Sequence, residues 1–243
     1  MAKGRPFAVF DIDGTLIRWQ LYHAIADATV KLGYVAPYTY QVVKEARMDW
    51  KRRTSSGSFK SYEKQLIDTY ESVLKGLTLE QFMKAADVVF DEYKDQVYTY
   101  TRDLIVELKK KGYLLFAISG SQEEIVEKIA RHWDFDDWMG TIYGYKNGRF
   151  SGTKTVGSAD KSKALQKLIK KHKATLDGSV AVGDSTSDIP MLKKVDRPIV
   201  FNPDRELFEL AKQNGWRLVI ERKNMVYELE KVNGKYELVK TGV

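Results

Sequence analysis

Apolar and polar positions along the chain fall into two regimes. Residues 7–10 form a short apolar run, too brief for a helix and suited to a strand buried on both faces. From about Trp19 to Gln96 every pattern is helical. Leu21, Ile25, Ala28 and Leu32 recur at helical spacing before Gly33, and Val42, Val43, Ala46 and Trp50 mark a second helix. After a polar stretch at 54–58, Tyr62, Leu66, Ile67, Tyr70 and Leu74 mark a third. Thr78-Leu79-Glu80-Gln81 reads as a capping box opening a fourth, carried by Phe82, Ala85, Ala86, Val89 and Phe90.

From Thr101 onward strands and helices alternate. The pattern predicts a helix over 104–110, a strand over 113–118 and a tight loop at Ser119-Gly120-Ser121. A helix over 122–132 follows, with Ser121 as its cap. Residues 141–145 and 149–152 flank Asn147-Gly148, which suits a type I′ hairpin turn. Next come a lysine-rich helix over 161–173, a strand over 179–182 ending at Gly183-Asp184, and a short helix from Pro190. A strand over 198–201, a helix over 204–214 and a strand over 216–221 complete the series. A second hairpin joins 225–231 to 235–239 through Asn233-Gly234.

Strands alternating with helices predict a parallel sheet with helices on both faces. The expected fold is α/β: a Rossmann-like parallel-sheet core from residues 1–17 and 98–222, an inserted four-helix bundle over 18–97, and a C-terminal β-hairpin over 223–243. The chain has 243 residues, 43% of them apolar, with five tryptophans and no cysteine. Disulfides, thiolate metal sites and thiol nucleophiles are thereby excluded. Residues 1–6 lack a signal-peptide apolar region, and no eighteen-residue apolar run occurs, so a cytoplasmic protein without membrane contact is expected. A net charge of +7 favours anionic partners, although lysines on outer helix faces serve solvation as readily as recognition. His23, His132 and His172 are scattered, without metal-ligand spacing.

In a parallel sheet, ligands bind beyond the carboxyl ends of the strands, and Asp11, Ser119 and Asp184 fall there. Asp13-Gly14 alone would suit a turn. Asp11 and Asp13 in one pocket would repel, which calls for a hard cation such as Mg²⁺. Together with Lys161 and the run from Gly183 to Asp188, they supply what phosphoryl transfer requires. Asp11 would be the nucleophile and Asp13 the acid/base. Asp11 and Asp184 would hold the metal, with the backbone carbonyl of Asp13 as a third ligand. Asp188 would orient Lys161 or ligate through water. Ser119, Gly120, Thr15 and Lys161 would bind phosphate, with Lys163 as a rival to Lys161, while Thr15 and Ser185 suit turn positions equally well.

These four segments, in this order, resemble the haloacid dehalogenase superfamily, in its phosphoserine-phosphatase-like branch with a helical cap. The resemblance runs from Phe7 to about Glu221, and the cap corresponds to residues 18–97. It implies a Mg²⁺-dependent phosphatase acting on a small phosphorylated metabolite through an aspartyl-phosphate. Asp13 favours phosphate-ester hydrolysis over dehalogenation. Where that branch carries a glutamate for the substrate ammonium, this chain has Gln20, and counting to its cap arginine reaches Tyr70. A substrate more apolar or more anionic than free phosphoserine is therefore expected, met by Arg18, Trp19, Gln20 and Tyr22 and the basic cluster 51–53. Alternatives are a phosphotransferase using the same site and a basic nucleic-acid-binding protein retaining the fold. A monomer or weak homodimer is expected.

Overall fold

The computed structural model describes residues 4–55, 57–156 and 159–242. Residues 1–3, 56, 157, 158 and 243, which fall within the predicted segments 1–17, 18–97, 98–222 and 223–243, lie outside it. In chain order the elements are β1 (Pro6–Phe10), α1 (Leu21–Lys31), α2 (Gln41–Arg52), α3 (Ser58–Leu74), α4 (Leu79–Tyr93), α5 (Thr99–Lys110), β2 (Leu114–Gln122), α6 (Glu123–His132) and β3 (Asp137–Lys146). Then follow β4 (Arg149–Val156), α7 (Lys161–His172), β5 (Thr175–Gly183), α8 (Ile189–Leu192), β6 (Arg197–Phe201), α9 (Arg205–Asn214), β7 (Arg217–Arg222), β8 (Met225–Val232) and β9 (Lys235–Gly242). No helix among the described residues is long and apolar enough to cross a membrane.

Two compact units emerge. One comprises Met1–Trp19, Tyr93–Thr141 and Val156–Val243; the other comprises Gln20–Glu92 and Ile142–Thr155. The hairpin residues 142–155, expected in the core, thus group with the helices, whereas Arg18, Trp19 and Tyr93–Val97 group with the sheet. The packing explains the hairpin: Phe150 meets Phe82 of α4 edge-on at 5.6 Å, and Tyr143 donates to Glu71 of α3 at 3.1 Å. Within the same unit Tyr62 stacks on Trp50 at 5.3 Å and packs with Ala26, Tyr40, Val43 and Leu66. The predicted capping box forms, Thr78 and Gln81 each bonding the other's backbone N–H.

In the sheet unit β1 lies between β2 and β5 and runs parallel to both. Phe7 to Phe10 are fully buried, each phenylalanine contributing on the order of 2–3 kcal/mol. Phe7 and Val9 pack with Leu165 and Leu168 of α7, Met191 of α8 and Leu207 of α9. Side chains alternate, so Phe10 faces the other way, where its ring meets Phe135 edge-on. Outward from β5 run β6 and β7 in parallel, then β8 and β9 antiparallel. The C-terminal hairpin therefore forms the sheet's edge.

Helix α5 starts five residues before the predicted 104. Its first N–H groups need a partner, and Glu221 of β7 provides one, accepting from Thr99 N at 3.1 Å and Tyr100 N at 2.9 Å. That cap lies 122 residues away in sequence.

Candidate active site

Register alone carries Asp11 to the sheet's edge. Phe10 is opposite both Ala117 of β2 and Val182 of β5, so the next residue leaves the sheet between its two neighbours. The Asp11 N–H still bonds the Val182 carbonyl at 3.0 Å. Beyond it the chain folds back, Leu16 N and Ile17 N both bonding the Ile12 carbonyl. Gly14 has φ +79°, and a Cβ there would lie 2.4 Å from Asp184 Oδ2, so only glycine lets this turn approach that carboxylate. Thr15, buried, donates to Asp184 Oδ1 at 3.2 Å and is held from behind by Thr101, which donates to its carbonyl.

Lys161 is the first residue of α7. The preceding Asp160 caps that helix, accepting from Ser162 N and Lys163 N, and so fixes the direction in which Lys161 leaves it. Lys161 is 2% exposed, and its Nζ lies 2.6 Å from Asp11 Oδ1 and 2.5 Å from Asp188 Oδ1. Lys163 is exposed and pairs with Asp160 instead, so Lys161 is the lysine that meets Asp11 and Asp188. The second oxygen of Asp188 accepts from Asp184 N, Ser185 N and Ser185 Oγ. Asp188 thus ties Lys161 to the β5 exit loop.

Asp11, Asp184 and Asp188 each bring a carboxylate oxygen within 4.8 Å of the others. Burial raises the Asp11 carboxyl to about 7; Lys161 opposes this, while the charges of Asp188 and Asp13 add to it. Asp184 is likewise raised well above the usual carboxylate range, by burial first and then by Asp11 and Asp188. Burial works against the Lys161 charge too, but Asp11 and Asp188 outweigh it and raise that pKa. Three acids against one ammonium leave the cluster short of positive charge, and its donors are all hard oxygens. Such a set fits Mg²⁺.

The Asp13 carboxylate stands outside this cluster. Its Oδ2 accepts from Ser119 Oγ at 2.8 Å and Ser121 Oγ at 2.9 Å. Ser121 is the residue that sequence reasoning misassigned. β2 continues through Gln122, α6 begins at Glu123 without a side-chain cap, and both serines turn to Asp13. Serine before a helix signals a cap as readily as a site hydroxyl. Gly120, in the same strand, gives its carbonyl to Thr141 Oγ1 at 2.6 Å.

The four residues expected to meet substrate divide between the units. Arg18 and Trp19 follow the Asp11 turn; Arg18 is exposed, with its guanidinium 5.2 Å from the centre of the Tyr98 ring. Gln20 and Tyr22 belong to the helical unit. Gln20 precedes α1 without capping it, and Tyr22 bonds Tyr143 and meets Tyr70 edge-on. The histidines pair with acids: His23 with Asp27, His132 with Asp95 and His172 with Asp137.

Fold and site together define a doubly wound α/β protein whose carboxylates, hydroxyls and one buried lysine converge beyond parallel strand ends. The family model for haloacid dehalogenase-like hydrolases matches residues 8–193, and the chain belongs to that family. A phosphoserine phosphatase of Methanocaldococcus jannaschii is 28% identical over 204 residues, covering 83% of this chain and 87% of that protein. A phosphoserine phosphatase of Mycobacterium tuberculosis is 24% identical over 221 residues, covering 87% of this chain and 69% of its own. Among solved structures, a phospho-aspartyl intermediate analogue of phosphoserine phosphatase superposes with a TM-score of 0.63 at 24% identity, covering 91% of this chain and 95% of that one. At that identity the likeness speaks for the fold.

Proposed function

We propose that this phosphatase hydrolyses a small phosphomonoester through an aspartyl-phosphate on Asp11. One observation carries the reading: Asp11 and Asp13, two residues apart, are held by different partners, Lys161 for the first and Ser119 with Ser121 for the second. The division suits two roles. An oxygen of Asp11 attacks phosphorus as the ester P–O bond breaks, and Asp13 gives its proton to the departing alkoxide. Asp13, now a carboxylate, takes a proton from water as that water attacks the phosphoryl group and frees Asp11. Lys161, Thr15, Ser119 and the Gly120 backbone hold the phosphoryl group in line. Asp11, Asp184 and the Asp13 carbonyl would hold Mg²⁺, with Asp188 acting through Lys161. When bound, the ion would neutralise charge on the phosphoryl oxygens.

Relatives named phosphoserine phosphatases bring that substrate into consideration. Gln20 argues against it, because a neutral amide offers no charge for an amino acid's ammonium. Tyr70 is buried against Tyr22 in the helical unit. The test is phosphate release from a panel of phosphomonoesters, with and without Mg²⁺. Turnover that needs the metal and is lost in Asp11→Asn is expected. Turnover retained by that variant, or highest on phosphoserine, would overturn the respective part of the reading.

A further inference from the structure

We infer that Arg18 selects for phosphomonoesters carrying a second anionic group, by offering its guanidinium at the rim of the Asp11 site. This rests on the hydrolytic reading and adds the charge of the substrate's leaving group to it.

The backbone puts Arg18 there. Ile17 forms a bridge with Asp13, and its carbonyl accepts from Gly14 N at 3.0 Å, so Arg18 follows directly on the turn that carries the acid/base. Its own N–H bonds the Gln96 carbonyl, and Tyr98 N returns to the Leu16 carbonyl, which holds the segment on both sides. The side chain is held as well. The guanidinium lies over the Tyr98 ring, an arrangement that steadies a cation without neutralising it. Tyr98 is itself seated on Phe201 edge-on at 4.9 Å. Burial raises the Tyr98 hydroxyl pKa, and the charge of Asp184 raises it further.

Other cations of this unit have a counter-ion: Lys161 has Asp11 and Asp188, and Arg102, whose N–H bonds the Tyr98 carbonyl, has Asp103. Among the described residues Arg18 forms no ion pair. A guanidinium held in place, exposed and without an acid is a fork presented to a carboxylate or phosphate. The nearby acids do not compensate, since they are turned toward Lys161, Thr15 and the serines.

The experiment compares two matched esters, 2-carboxyethyl phosphate and propyl phosphate, on the wild type and on Arg18→Gln, Arg18→Lys and Arg102→Gln. The wild type is expected to favour the carboxylate-bearing ester in kcat/KM. In Arg18→Gln the ratio of the two kcat/KM values should fall about tenfold or more, through KM. Arg18→Lys should restore part of that ratio, and Arg102→Gln should leave it alone. An unchanged ratio in Arg18→Gln, or equal losses on both esters, overturns the role of Arg18 while leaving hydrolysis intact. Phosphate release from neither ester, nor from the wider panel, overturns the hydrolytic reading and this inference with it.

Discussion

In the helical unit, His23 is buried between Asp27 and Arg47, hydrogen-bonded to the arginine and 3.0 Å from the acid. Burial pushes the Asp27 carboxyl up, but its hydrogen bond to His23 and the charges of Arg47 and Lys44 outweigh it and hold it below its usual range. In the sheet unit, Lys161 alone among the described residues ion-pairs within a group of three crowded aspartates, and Asp11 is raised to about 7. The first arrangement sets one acid against basic partners. The second is unbalanced, and protonation or a bound cation would relieve it. The two arrangements differ in the direction of their carboxylate shifts, lowered for Asp27 and raised for Asp11 and Asp184.

The comparison breaks most visibly at Asp11. Asp11→Asn should lower phosphate release on the order of 10⁴-fold. It should also raise the melting temperature of metal-free protein at pH 8, because it removes one of the crowded charges. A melting temperature that falls would mean that the Lys161 pairing outweighs the repulsion. Lys161→Met is the converse, leaving the acids without their cation. It should cost ~3–5 kcal/mol at neutral pH by denaturant titration, and the cost should shrink as the acids protonate. Lys163→Met, in the same helix, should be close to neutral by the same measurement.

Metal and pH sharpen the contrast between the units. Folded Asp11 binds a proton up to about 7, against its ordinary value of 3.8. Between those values the folded state carries the extra proton, so stability present in acid is lost as pH rises toward and through about 7. Thermal melting of metal-free protein should follow this, by on the order of a few kcal/mol, and Mg²⁺ should raise the melting temperature more at pH 8 than at pH 5. Asp27 has the opposite sign: its contribution is present above the unfolded value and is lost as pH falls through the lowered one. Ser121→Ala should reduce kcat about tenfold by removing a donor to Asp13. The smallest effect belongs to Asp27→Asn, which is half exposed and should cost less than ~1 kcal/mol at pH 7 with no change in kcat.

Much of this was legible in one dimension, because it depends on neighbours in the chain. Phe7 to Phe10 mark a buried strand by composition alone, and Asp11 and Asp13 follow as its exit. The Thr78–Gln81 box spans four residues, and Asn147-Gly148 and Asn233-Gly234 take the positive φ angles that their hairpins need. Lys161 was marked, though not separated from Lys163, by its place just ahead of the apolar stripe of α7.

What lay beyond the sequence depends on residues far apart. Ser121 could cap α6 or face Asp13, and only the approach of β1 to β2 selects the second. Asp188 bonds Lys161 across 27 positions while holding the β5 exit loop, a double duty that no local pattern encodes. Glu221 lengthens α5 from 122 residues away, and Phe82 and Glu71 draw the Asn147-Gly148 hairpin to the helices. Periodicity and turn chemistry act over one to four residues and so determined the elements and the identity of the reactive groups. Which partner each group keeps is a contest among distant side chains, and only the tertiary structure decided it.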